Sequence, residues 1–143
     1  MTVVVAVDGS PGSYAAIRVA RQEALFRSST LVAVMAFGGE TVLSSPPARA
    51  SSRMNTTEQR AVTEATLRQV VRDALGDDAA EVDTRVIQGV PGQALVQAAR
   101  EADAQMVVLA ARSDSAMSRL LGTASQFVLR NAPCPVLVVP AGT

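Results

Sequence analysis

The residues best placed to do chemistry lie between 109 and 125, in the stretch "LAARSDSAMSRLLGTAS". It follows an apolar run, precedes an apolar helix pattern and has the layout of a phosphate-holding loop. Gly122, Thr123 and Ser125 open the helix, where unpaired backbone N–H groups and the positive end of the dipole attract anions. The same residues also read as a glycine turn followed by a hydroxyl cap. A phosphate loop uses glycine so that backbone can come close to the anion, and the front of this stretch has none. It holds Leu109 and Arg112 instead.

Arg112 has two readings. Its guanidinium can bind phosphate directly, or it can fold across the crevice onto Asp8 or Asp114 and fill the ligand's place. Arg112→Gly separates them, because removing a filling side chain raises nucleotide affinity and removing a phosphate ligand lowers it. Asp8 ends the first apolar run, either as a carboxylate facing a ligand or as the acceptor of an Asp-Gly turn. Gly89-Val90-Pro91 reads as a strand-to-helix turn with proline at the helix start.

Catalysis has little to draw on. The chain has no histidine, which removes the commonest general base and zinc ligand together. Asp8 and Asp114 are the acids expected near the crevice, so no metal site and no catalytic residue are expected. Cys134, the single cysteine, stands between Pro133 and Pro135 and reads as packing.

The elements that must hold these residues alternate. "TVVVAV" and "TLVAVMAF" are unbroken apolar runs of the kind that strands buried on both faces require. Between them, Ser10 is the expected N-cap of a helix with Pro11 first and Ala16, Ile17, Ala20 and Ala24 inward. Gly38 to Met54 has no period and reads as a long mobile loop, with Arg49 and Arg53 solvated. Asn55 and Glu58 form an expected capping box for a helix that turns Leu67, Val70, Val71 and Ala74 inward and ends at Gly76. "AEVDTRVIQG" alternates as a strand near a sheet edge does. A helix on Leu95, Ala98, Ala99 and Ala102 follows, then the strand "QMVVLAA", a helix turning Ala124, Phe127 and Val128 inward, and the strand "CPVLVVP". Met35 and Met106 fall in strand runs and read as core.

Five strands alternating with four helices specify an α/β fold, a parallel sheet with helices on both faces, in a single domain over residues 1–143. Ligands of such sheets sit beyond the carboxyl ends of the strands. Asp8-Gly9, Phe37-Gly38, Gly89 and the 109–125 stretch are therefore expected at one crevice. Thirteen basic residues, all arginine, balance thirteen acidic ones, which argues against nucleic acid as a partner. The lone cysteine, the absence of a basic leader and the shortness of the apolar runs point to the cytoplasm rather than a membrane.

The segments "VVVAVDGSPGSYAAIRVA", "VIQGVPGQALVQAAREADAQMVVLA" and "LLGTASQFVLRNAPCPVLVVP" resemble, in order and spacing, the universal stress protein family. The resemblance covers essentially the whole chain. It implies an adenine nucleotide alpha hydrolase-like fold with strand order 3-2-1-4-5 and a stress-response role. Family members that bind ATP carry a glycine, two residues, a second glycine, nine residues, then glycine with serine or threonine. Without gaps, the final pair falls on Gly122-Thr123, while the two earlier glycines fall on Leu109 and Arg112. The resemblance implies that Asp8 lies near the adenosine, Ala36 meets adenine through its backbone, and Gly89 lies near the base. It implies a homodimer paired antiparallel along Val136, Leu137, Val138 and Val139. The reading that follows is a non-catalytic dimeric module with a degenerate phosphate loop. The alternative is a site for ATP or AMP, with magnesium if ATP, that uses Arg112 and the Gly122-Thr123 helix start and hydrolyses slowly.

Overall fold

The computed structural model describes residues 1–38, 55–111 and 123–140. The expected loop from residue 39 to 54, together with Arg112, Asp114 and Gly122, lies outside the described residues. The described elements run β1 (Thr2–Ala6), α1 (Pro11–Phe26), β2 (Thr30–Gly38), α2 (Thr56–Leu75), a 3-10 turn (Gly76–Glu81), β3 (Asp83–Gly89), α3 (Pro91–Glu101), β4 (Met106–Ala110), α4 (Thr123–Asn131) and β5 (Val136–Val139).

The five strands form one sheet in the order β3-β2-β1-β4-β5, with every pairing parallel. β1 lies at the centre because its three valines are apolar on both faces. Val3 and Val5 pack with Ala16, Ile17, Leu67 and Val71 under α1 and α2. Val4 points the other way and packs with Leu95, Ala98, Ala99 and Val128 under α3 and α4. A pleat that sends alternate side chains to opposite faces turns an unbroken apolar run into two half-cores.

Local signals explain the helix ends. Asn55 Oδ1 accepts from the Glu58 N–H at 2.8 Å, and the Asn55 side-chain amide donates to Glu58 Oε1 at 3.1 Å. Gly76, with φ +61°, ends α2 in the left-handed region that favours glycine.

Two expectations need correction. Ser10 occupies the N-cap of α1, but its side chain makes no capping hydrogen bond. Asp8, two residues earlier, accepts from the Ser10 N–H at 2.9 Å and so takes over the polar work of this turn. The stretch expected to enter β3 at Ala80 is a 3-10 turn through Glu81, and the strand begins at Asp83. Val82, buried at 9% exposure, anchors this turn against the core and offsets the start of the ladder.

Candidate functional site

The carboxyl end of β1 holds a hydrogen-bonded polar cluster. Asp8 Oδ1 accepts from the Ser13 hydroxyl at 2.8 Å as well as from Ser10, and Ser13 Oγ accepts from the Asp8 N–H at 3.1 Å. Ser13 is 1% exposed, the one buried polar residue among those described. Partial burial of the Asp8 carboxylate pushes its pKa up, but the hydrogen bonds from Ser10 and Ser13 outweigh this and hold it below its ordinary value. The site therefore keeps a fixed negative charge at neutral pH.

Asp8 and Ser13 open onto a cavity of about 110 Å³. Its walls are Ala6, Val7, Val34, Ala36, Leu95, Leu109, Ala110 and Val128, with Pro91 and the first turn of α4, Ala124 and Ser125, completing the rim. Among the described residues the lining side chains are apolar except at three points, Asp8, Ser13 and Ser125. A flat apolar group fits such walls, with a hydrogen-bond donor meeting Asp8 and a group of either polarity meeting the Ser125 hydroxyl.

The structure brings together Asp8, Ala36 and Ser125 among the residues singled out from sequence. It does not bring Gly89 to the cavity. Gly89 ends β3 opposite Gly38 with φ +143°, a conformation that needs glycine, and Pro91 reaches the cavity from the same turn. Thr123 begins α4 but is exposed and off the cavity wall. Leu109 is no loop residue. It lies inside β4, pairs in register with Val138 and is 3% exposed, so the last residue of the strand is Ala110. Ala110 meets α1, and a Cβ on Gly12 would stand 3.0 Å from its methyl.

Ser13 was missed in sequence, although it had a signal. It falls on the inward stripe with Ala16, Ile17, Ala20 and Ala24, where a hydroxyl among alanines needs a buried partner.

The universal stress protein family model matches residues 1–140 of this sequence. The chain belongs to the universal stress protein family. A universal stress protein of Thermus aquaticus, from the QAH/OAS sulfhydrylase 3' region, is 32% identical over 145 residues, spanning 96% of this chain and 97% of the relative. A solved universal stress protein in complex with cAMP is 29% identical with a TM-score of 0.69, covering 99% of this chain and 98% of that one. UspA from Lactobacillus plantarum shares the fold with a TM-score of 0.74 at 21% identity, with 97% of each chain covered. A universal stress protein from Archaeoglobus fulgidus in complex with dAMP shares it with a TM-score of 0.56 at 22% identity, again over 97% of each chain.

For a universal stress protein this cavity is the crevice that the parallel sheet creates beyond its strand ends. Among the described residues, no three His, Cys, Asp or Glu side chains gather in a way that could hold a metal ion. None of the described helices is long and apolar enough to cross a membrane.

Proposed function

We propose that this protein is a non-catalytic, single-domain stress-response module of the cytoplasm, whose crevice takes the nucleoside part of an adenine monophosphate and gains little from further phosphates. The observation that carries this is the meeting of Asp8, Ala36 and Ser125 on one small apolar cavity. Asp8, held ionised, repels phosphate and accepts from a hydroxyl or amino group. The anionic end of the ligand therefore points towards the first turn of α4, where Ser125 and the helix N–H groups are. The cavity is smaller than the roughly 300–1,000 Å³ that encloses a whole drug-sized ligand, which favours partial rather than deep enclosure. The cAMP complex of the 29% identical relative supports a nucleotide of this size. Of the glycines that ATP-binding members carry, the two that fall on Leu109 and Arg112 have no counterpart here.

Among the described residues the crevice contains one carboxylate, and it is tied to Ser10 and Ser13 rather than free to move a proton. No base or metal cluster accompanies it among those residues, and turnover is not expected. We also read β5 as the strand that pairs with a second copy, since Val136, Leu137 and Val138 are only half-buried at a sheet edge.

Titration calorimetry with AMP and ATP tests the nucleotide reading. AMP is expected to bind, ATP to bind no tighter than AMP, and Asp8→Ala to weaken AMP about tenfold, the effect of one hydrogen bond to a charged group. ATP binding far tighter than AMP, or magnesium-dependent phosphate release that Asp8→Ala abolishes, overturns the proposal.

A further inference from the structure

The outer wall of the cavity is formed where α3 and α4 meet, and a glycine stands at the meeting point. Gly92 is the second residue of α3 and is buried. A Cβ built there would stand 3.0 Å from the Ala124 carbonyl oxygen, 3.1 Å from Phe127 Cβ and 3.2 Å from Ala124 Cα. Two of these neighbours are backbone atoms of the first turn of α4, which no change of rotamer moves aside.

Gly92 is ordinary helix and does not occupy the left-handed region, so alanine would suit its backbone and favour α3. The constraint is space alone. On either side of this contact stand cavity residues, Pro91 before Gly92, and Ala124 with Ser125 across from it. α4 is nine residues long, and Val128 is its one fully buried side chain. The close approach at Gly92 is thus a direct restraint on where its first turn sits.

We propose that Gly92 is a positioning residue for the nucleotide site. By letting the first turn of α4 dock directly on α3, it fixes the distance between the Ser125 end of the cavity and the Asp8 end. The proposal rests on the monophosphate reading above. It adds that the match between nucleoside and anion, and not the cavity walls alone, depends on a methyl group that is missing from a neighbouring helix.

Gly92→Ala tests it, with AMP and adenosine titrated in parallel, thermal unfolding measured and the crystal structure of the variant determined. AMP, which spans both ends, is expected to weaken about tenfold, while adenosine, which needs only the Asp8 end, changes by less than about twofold. The melting temperature is expected to fall by no more than a few degrees, the displacement of α4 being partly offset by the better helix propensity of alanine. Equal losses for both ligands, no loss for AMP, or a variant that fails to fold would each overturn the proposal, because each makes the contact general packing. If the wild type binds neither ligand, the monophosphate reading itself fails. The crystal structure then decides the geometry, with a displaced first turn of α4 sustaining the positioning role and an unmoved one overturning it.

Discussion

Asp8 shows how far a residue's role depends on neighbours that the sequence does not advertise. An Asp-Gly pair after an apolar run reads as a turn or as a ligand contact, and the structure shows one carboxylate oxygen already shared between Ser10 and Ser13. Folding lowers the Asp8 pKa, so on acidification the unfolded chain takes up this proton first. The stability it contributes is whole above about pH 4 and fades as pH falls through the lower folded value. Because the Asp8 carboxylate is only partly buried and stays within reach of solvent, its worth is modest. Asp8→Asn is expected to cost about 0.5–1 kcal/mol at pH 6, and the gap to wild type to narrow as pH is lowered below the ordinary carboxylate range, as read by urea unfolding across that range. Asp8 and Ser125 could be nominated from residue type and position. The Gly89-Val90-Pro91 turn came to the site through the resemblance, and Pro91 is the residue of it that lines the cavity. Ser13 and Ala110 were not placed there, because the closeness of a helix start to a strand end is set by packing such as that of Gly12 on Ala110, which the periodicity of either element alone does not show.

At the scale of elements, the local code is written most plainly at α2. Asn55 and Glu58 hold each other across the first turn, although the Glu58 carboxylate meets the Asn55 side-chain amide rather than its backbone N–H. Asn55→Ala leaves the Glu58 N–H without its acceptor and is expected to cost about 1 kcal/mol, seen as a lowered urea midpoint with an unchanged slope. Strand β4 was harder to read. The run "QMVVLAA" overshoots it by one residue at each end, because the ladder with β5 closes at Ala110 opposite Val139, and a ladder between distant segments cannot be read from either alone. The same applies to the 3-10 turn before β3, whose alternation resembles a strand until Val82 is seen anchored in the core.

For the whole molecule, the parallel alternation was readable because both faces of the central strands must be apolar, a demand met within each strand. The order of the strands came from family resemblance, since periodicity does not say which strand lies beside which. At β3 the Val86 carbonyl accepts from the Arg60 guanidinium at 2.9 Å, and that guanidinium lies 5.1 Å from the centre of the Phe37 ring. Arg85 pairs with Glu101 at 2.6 Å beside it. Charged side chains on an edge discourage another strand from adding there. The proposed pairing through Val136 to Val139 would use the opposite edge, β5. Leu137→Glu is expected to give a monomer by sedimentation at micromolar concentration while retaining the circular dichroism of the folded chain. A variant that stays dimeric places the contact elsewhere.

The position of β1 has a consequence for how the molecule is made. The first strand to leave the ribosome is the middle one of the sheet. Val3 pairs with Leu31 early, through β2, but its other partner is Met106, which is synthesised after three of the described helices and two further strands. Until β4 emerges, one long edge of β1 and the valines beside it have no neighbour. Non-local parallel pairing of this kind slows folding and leaves apolar strand exposed meanwhile. For a nascent chain the central strand is thus the longest wait, and the interval before residue 110 emerges is when a holding chaperone has most to cover.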